Sequence, residues 1–293
     1  MTYVLMTVLS LLWGLSFLGT KVLLVTLEPL EIMAVRWTLA CLTFSVLAAC
    51  KVIHIEFHGK PLQVLLWAVL LQPCAYAILE TWGVDLTTSS ESSIIIAMIP
   101  LMIVLEEWLL YRKRPSSKIL WAMCISFSGV LISVIFAPSF SIGSKTIGYL
   151  LLIGAVIVGA LYNTVFSEKF SKAYSPVEIT YAMSISGTIF FNTLSLCQGN
   201  GLHGYSVILA DLPSALAAVF LGVGCSCAAY LIHNYNLSRM KATIVSTIQT
   251  NAITVVGVVA GIVFGGDPWG WYTVLGLLMA VVGIWITSAD KNR

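Results

Sequence analysis

A chain of 293 residues that is 59% hydrophobic and only 10% charged lies far from soluble domains, in which about 25% of residues are charged. Apolar runs long enough for about 20 residues of helix recur along its whole length, which excludes a sizeable soluble domain. The formal net charge of +2 is too small to suggest nucleic-acid binding.

The first run, Tyr3–Val25, has neither a basic leader nor a small-residue cleavage pattern, and is expected to be a retained helix. It carries Trp13 and Phe17. The second, Glu31–Cys50, places Arg36 inside the apolar stretch. His54 and His58 follow in a loop, where a solvated role outweighs a metal site. The third, Pro61–Trp82, contains Gln72, Tyr76 and Glu80.

The fourth, Thr88–Tyr111, is the most unusual, with Glu91, Glu106, Glu107 and a central Pro100. Pro100 removes one helical hydrogen bond and is expected to make a hinge near Ile96. At 100° per residue Glu106 lies about 60° around the helix from Glu91, and Glu107 about 160°. Glu106 is therefore the one that would share a face with Glu91. Snorkelling of both towards Arg112, Lys113 and Arg114 is the competing reading.

Lys118–Phe136 and Ile147–Glu168 follow, the latter with Tyr162 and Asn163. Pro176–Cys197 and Pro213–Tyr235 come next, and the second of these holds Tyr230, His233 and Asn234. Ala242–Phe264 holds Gln249 and Asn251, and Trp271–Ser288 closes the set. Buried amides must find partners, which a ligand or a neighbouring helix could supply.

Ten spans put both termini on one side. Of the 15 Lys and Arg residues, Lys51, Lys60, Arg112, Lys113, Arg114, Lys118, Lys169, Lys172, Arg239, Lys241, Lys291 and Arg293 then fall on that side. Lys21 and Lys145 fall on the other. Short cytoplasmic loops concentrate positive charge, so both termini are expected in the cytoplasm. The seven cysteines read as small hydrophobes, and no metal or cofactor is expected.

The halves echo one another. Ser128–Ser133 aligns with Val282–Thr287 at an offset of 154 residues, and Pro29-Leu30-Glu31 with Pro176-Val177-Glu178 at 147. Each half, residues 1–138 and 146–290, holds five predicted helices. An odd number reverses the second copy in the membrane, giving an all-α membrane protein of ten transmembrane helices as two inverted-topology repeats of five. Such repeats typify carriers with a site near the bilayer midplane.

The chain resembles the drug/metabolite transporter superfamily, in its EamA-type branch. The marks are Trp13-Gly14-Leu15-Ser16-Phe17, Glu28-Pro29 followed by Arg36, Thr87–Ser93 leading to Pro100, and Gly266-Asp267-Pro268 through Gly276 to Gly283. Lys113 departs from the acidic residue usual there, Asp267 from Glu, and Thr254 from Pro. The resemblance implies that helices one to four and six to nine surround a cavity, with five and ten at the periphery. It also implies export.

Charges inside a bilayer are costly and point to function by default. Glu80, Glu91, Arg36 and Glu106 are accordingly candidates for a gate or for proton or cation coupling. Pairing of Glu80 and Glu91 with Lys21 or Arg36 as structural locks is the alternative. Trp13, Phe17, Gln72, Tyr76, Tyr162, Asn163, Tyr230, Asn234, Gln249 and Asn251 are candidates for the substrate cavity. Aromatic faces with carboxylates suit an ammonium group, and Arg36 suits a carboxylate.

No nucleophile elbow, zinc-protease helix or phosphate-binding loop occurs, so the residues suggest no enzyme or ATP-driven pump. A channel would want rings of like polar groups. The expectation is a secondary active transporter for a small organic metabolite, an amino acid or amine, working by alternating access in a bacterial-type inner membrane. Uptake of an organic cation such as a quaternary amine is the second reading. Proton coupling and a homodimer are both compatible with these residues.

Overall fold

The computed structural model describes residues 2–112, 114–137 and 144–288. Lys113, Lys291 and Arg293, and the repeat ends at 138 and 290, lie outside them. Every long element among the described residues is a helix and none is a strand. We label the long helices α1 (Thr2–Leu23), α2 (Pro29–Ala49), α3 (Leu62–Leu86), α4 (Ser89–Tyr111), α5 (Ser117–Ile135), α6 (Ser144–Val165), α7 (Pro176–Cys197), α8 (Leu212–Leu237), α9 (Ala242–Val263) and α10 (Trp271–Ser288).

Eight of these, all but α7 and α10, contain stretches long and apolar enough to cross a membrane. A helix satisfies all its backbone polar groups internally, which is what hydrocarbon demands. α7 is long enough but carries Thr180, Ser184, Ser186, Thr188, Asn192 and Thr193. The apolar part of α10, Trp271–Ile286, is short.

Helix starts are written locally. Glu28 and Glu31 form a capping box on α2, Thr88 and Glu91 on α4, and Ser175 and Glu178 on α7. Each box satisfies two otherwise orphan N–H groups. Pro29 and Pro176 occupy the first helical turn, where proline's missing N–H costs nothing. A short helix, His203–Ala210, occupies the loop expected before α8.

Three expected continuous helices are interrupted. α3 passes through a π-helical stretch, Leu70–Ala75, where Gln72 is extended (φ −131°, ψ 124°) ahead of Pro73. α4 breaks into Ser89–Ile96 and Ile99–Tyr111, with Pro100 in the first turn of the second piece. α8 is π-helical over Phe220–Ala229.

Across the two halves, α5 packs on α10, α2 on α7 and α4 on α9; α1 packs on α9 and α8, α6 on α4 and α3, α2 on α8, and α7 on α3. Small residues permit the closest of these approaches. A Cβ on Gly129 of α5 would stand 2.7 Å from the Gly276 carbonyl oxygen of α10. Van der Waals packing of this kind, and not hydrophobic burial, holds helices together where lipid is as apolar as leucine.

Candidate functional site

A cavity of about 70 Å³ lies between the halves. α1 supplies Trp13, Ser16 and Phe17; α2 supplies Arg36; α3 supplies Gln72, Tyr76 and Glu80. Ile96 and Ile99 flank the break in α4. The second half adds Gly159 and Asn163 from α6, Tyr230 and His233 from α8, and Ser246, Gln249, Thr250 and Ile253 from α9. Among the described residues α5, α7 and α10 contribute none. The peripheral place implied for helices five and ten fits this, whereas α7 departs from the implied ring of eight.

The interrupted helices shape the wall. The break in α3 lets Gln72 turn inward, and Tyr230 Oη donates to its Oε1 at 2.7 Å. Trp13 Nε1 reaches the Cys225 carbonyl within the π-helical stretch of α8 at 3.4 Å. The Trp13 ring then lies 5.1 Å from Tyr230, edge-on, and 4.9 Å from His233. Gly159 makes room for Tyr76, whose Cε2 would be 3.0 Å from an added Cβ.

Arg36, which lines the cavity, donates from Nε to Ser226 Oγ at 2.9 Å, which fixes its stem. Glu80 faces the same space and interacts with Arg36 electrostatically. His233 bridges two amides, Nδ1 meeting the end of the Gln249 amide at 2.8 Å and Nε2 meeting Asn163 Oδ1 at 2.7 Å. A cation, an anion and an aromatic wall thus share one small chamber. That set can hold a polar solute bearing both signs of charge.

Of the residues expected in the cavity, Trp13, Phe17, Gln72, Tyr76, Asn163, Tyr230 and Gln249 line it, together with Arg36 and Glu80. Tyr162 and Asn234 do not. Tyr162 Oη donates to Asn234 Oδ1 at 2.9 Å, and Asn234 Nδ2 to Thr180 Oγ1 at 2.9 Å, tying α6, α8 and α7 together. Asn251 is also outside the lining, with its Oδ1 buried and unpartnered.

Glu91 and Glu106 sit elsewhere too. Glu91 caps α4, accepts from Tyr149 Oη at 3.1 Å and pairs with Lys145 at 3.6 Å. Lys21 donates to the Asp85 carbonyl at 3.0 Å and also interacts electrostatically with Glu91. Glu106, buried, accepts from Thr164 Oγ1 at 3.2 Å and ties α4 to α6. Ser16, Ser246 and Thr250 line the cavity without standing out in the sequence; Ser16 stands three residues from Trp13, Ser246 three from Gln249 and Thr250 four from Ser246, spacings that share a helix face.

Eight helices long and apolar enough to cross a membrane define a multi-pass membrane protein, and the chamber between its halves is its candidate site. The sequence profile of the EamA-like transporter family matches residues 1–135 and 146–289, and the chain belongs to that family. An uncharacterized transporter of Bacillus subtilis (strain 168), YcxC, is 28% identical over 286 residues, covering 96% of this chain and 91% of its own. An uncharacterized transporter of Archaeoglobus fulgidus is 24% identical over 279 residues, with 95% of each chain covered. A solved crystal structure shares the fold with a TM-score of 0.72 over 98% of both chains at 16% identity.

Proposed function

We propose that this protein is a secondary active transporter that carries a small organic metabolite, an amino acid or amine, by alternating access through the cavity of Arg36 and Glu80. The observation that carries the reading is the presence of both charges in one chamber at the junction of the halves. Charged side chains inside a membrane protein mark solute or ion pathways. The chamber's 70 Å³ holds only a handful of water-sized spheres. Its walls must therefore move for a solute of several heavy atoms to pass.

The packing of the halves supports ten spans in two inverted repeats. Exchanging each helix for the one five places on turns the α1–α9 contact into α6–α4, α3–α6 into α8–α1, and α2–α8 into α7–α3, while α2–α7, α4–α9 and α5–α10 map onto themselves. On this reading α7 and α10 also span, the hydroxyls of α7 donating to carbonyls of its own helix. The break beside Pro100 serves as a hinge. The basic residues favour termini in the cytoplasm of a bacterial-type inner membrane, and export follows the family resemblance. Glu80 is the carboxylate placed to exchange a proton with the cavity.

Counterflow in proteoliposomes, with a panel of labelled amino acids, primary amines and quaternary ammonium compounds, tests this. Exchange of at least one of them, reduced about tenfold or more in both Arg36→Gln and Glu80→Gln, is expected. Wild-type flux in both variants at every pH would remove the charges from the mechanism.

A further inference from the structure

The three-residue chain Asn163–His233–Gln249 contains a directional constraint that reaches the cavity. Asn163 Nδ2 donates to the Gly159 carbonyl at 2.8 Å. A carbonyl can only accept, so the orientation of this amide is fixed, and its Oδ1 must face His233 Nε2. That nitrogen therefore carries the proton. In a neutral imidazole the other nitrogen, Nδ1, is bare and can only accept.

Gln249 meets Nδ1 at 2.8 Å, and the far atom of the same amide is buried with no partner. The two ends of an amide are nearly the same size, so its orientation follows from the hydrogen bonds. Opposite a bare Nδ1 the amide must present its NH₂ group. Its oxygen then occupies the buried, unpartnered position, on a residue that lines the cavity. A doubly protonated ring would reverse this and leave an NH₂ group there.

The surroundings favour the neutral ring. Its neighbours across the cavity are the Trp13 face on α1, Arg36 on α2, Tyr76 and Glu80 on α3, and Tyr230 on α8. The lining residues of α4, α6 and α9 carry no charge, and Glu106 of α4 is engaged by Thr164 outside the lining. One carboxylate already faces one fixed cation, and a second cation in this chamber would be uncompensated.

We infer that Gln249 Oε1, held by His233 and Asn163, is an acceptor subsite for an N–H or O–H group of the transported solute. The inference rests on the carrier reading above and narrows it. A primary ammonium or a hydroxyl satisfies the orphan oxygen. A quaternary ammonium, with methyl groups in place of N–H, leaves it buried and unpaired, which is the kind of loss polar sites discriminate against.

Two measurements on the full chain test it. In a variant carrying His54→Gln, His58→Gln and His203→Gln, the ¹⁵N NMR spectrum reports the remaining His233 ring. A neutral ring protonated at Nε2 is expected near pH 7; protonation at Nδ1 or on both nitrogens overturns the inference, with no ligand involved. The second is thermal stabilisation by glycine and ethanolamine against their permethylated counterparts, glycine betaine and choline. The donor-bearing member of at least one pair is expected to act at a concentration about tenfold lower.

Gln249→Met, which removes the acceptor, should abolish that preference, and Gln249→Leu should do the same. If one of these variants fails to fold, the other and the NMR spectrum still decide. Equal or better stabilisation by the methylated member of both pairs, a preference that survives Gln249→Met, or no shift with any of the four probes would overturn the subsite. Loss of the subsite alone leaves counterflow of other solutes intact, whereas failure of the carrier reading abolishes all counterflow.

Discussion

The N-termini of α2 and α7 use the same device with different strength. At α2, Glu31 closes the capping box and its other oxygen meets His203 Nδ1 at 2.8 Å, in the connection that follows α7. At α7, Glu178 closes its box and meets Lys60 Nζ at 2.6 and 2.8 Å, in the connection that follows α2. Each helix is thus latched to the loop of the opposite half.

Their surroundings differ. Glu178 also accepts from the Glu56 backbone N–H at 3.0 Å, and Lys60 lies 5.4 Å from the Tyr174 ring. The His203 side chain is 57% exposed, against 29% for Lys60, and its contact is an ion pair only while the imidazole is protonated. The two helix starts lie in the two segments that the family profile matches, and their latches differ in strength. On the alternating-access proposal, asymmetry of this kind would bias which conformation the protein rests in.

Removing the strong latch should have the largest effect. Glu178→Ala strips Lys60, the Glu56 amide and the cap of their acceptor, and is expected to lower stability by about 2–3 kcal/mol in thermal or denaturant unfolding. Lys60→Met leaves the cap intact and should cost about 1–2 kcal/mol, with the α7 face becoming more accessible to water-soluble thiol reagents. An equal loss from the two variants would mean that the cap contributes nothing.

The weaker latch should respond less. Glu31→Gln keeps an acceptor for the Glu28 N–H but loses the charge, and is expected to cost about 0.5–1 kcal/mol. His203→Gln should cost about 0.2–1 kcal/mol, the range of exposed pairs.

Much of this architecture is legible in the sequence. Thr88-x-x-Glu91 and Ser175-x-x-Glu178 are capping signatures that composition leaves intact, and the first explains a glutamate that an apolar context makes look like a gate. The direction of a side chain is not legible in the same way. Asn163 faces the cavity while Tyr162 turns towards Asn234. Neighbouring residues differ by about 100° of helix, so only the packing partners decide which faces inward.

The breaks in α3 and α8 hide in apolar sequence, because a π-helical turn needs no unusual composition, although Pro73 was a visible sign of the first. The pairing of Glu31 with His203 spans 172 residues, and neither residue's neighbours announce it. Long-range partners follow from topology, which the repeat suggests only after the halves are aligned.

The most direct test of the central claim is the accessibility of the chamber from each side of the membrane. Ser16 lines it, so Ser16→Cys, in a chain whose seven cysteines have been replaced, can be exposed to a membrane-impermeant maleimide in right-side-out and inverted vesicles. Modification from both faces is expected, because a chamber that opens alternately is reached in turn from each. Modification from one face only, or from neither, would contradict alternating access through this cavity.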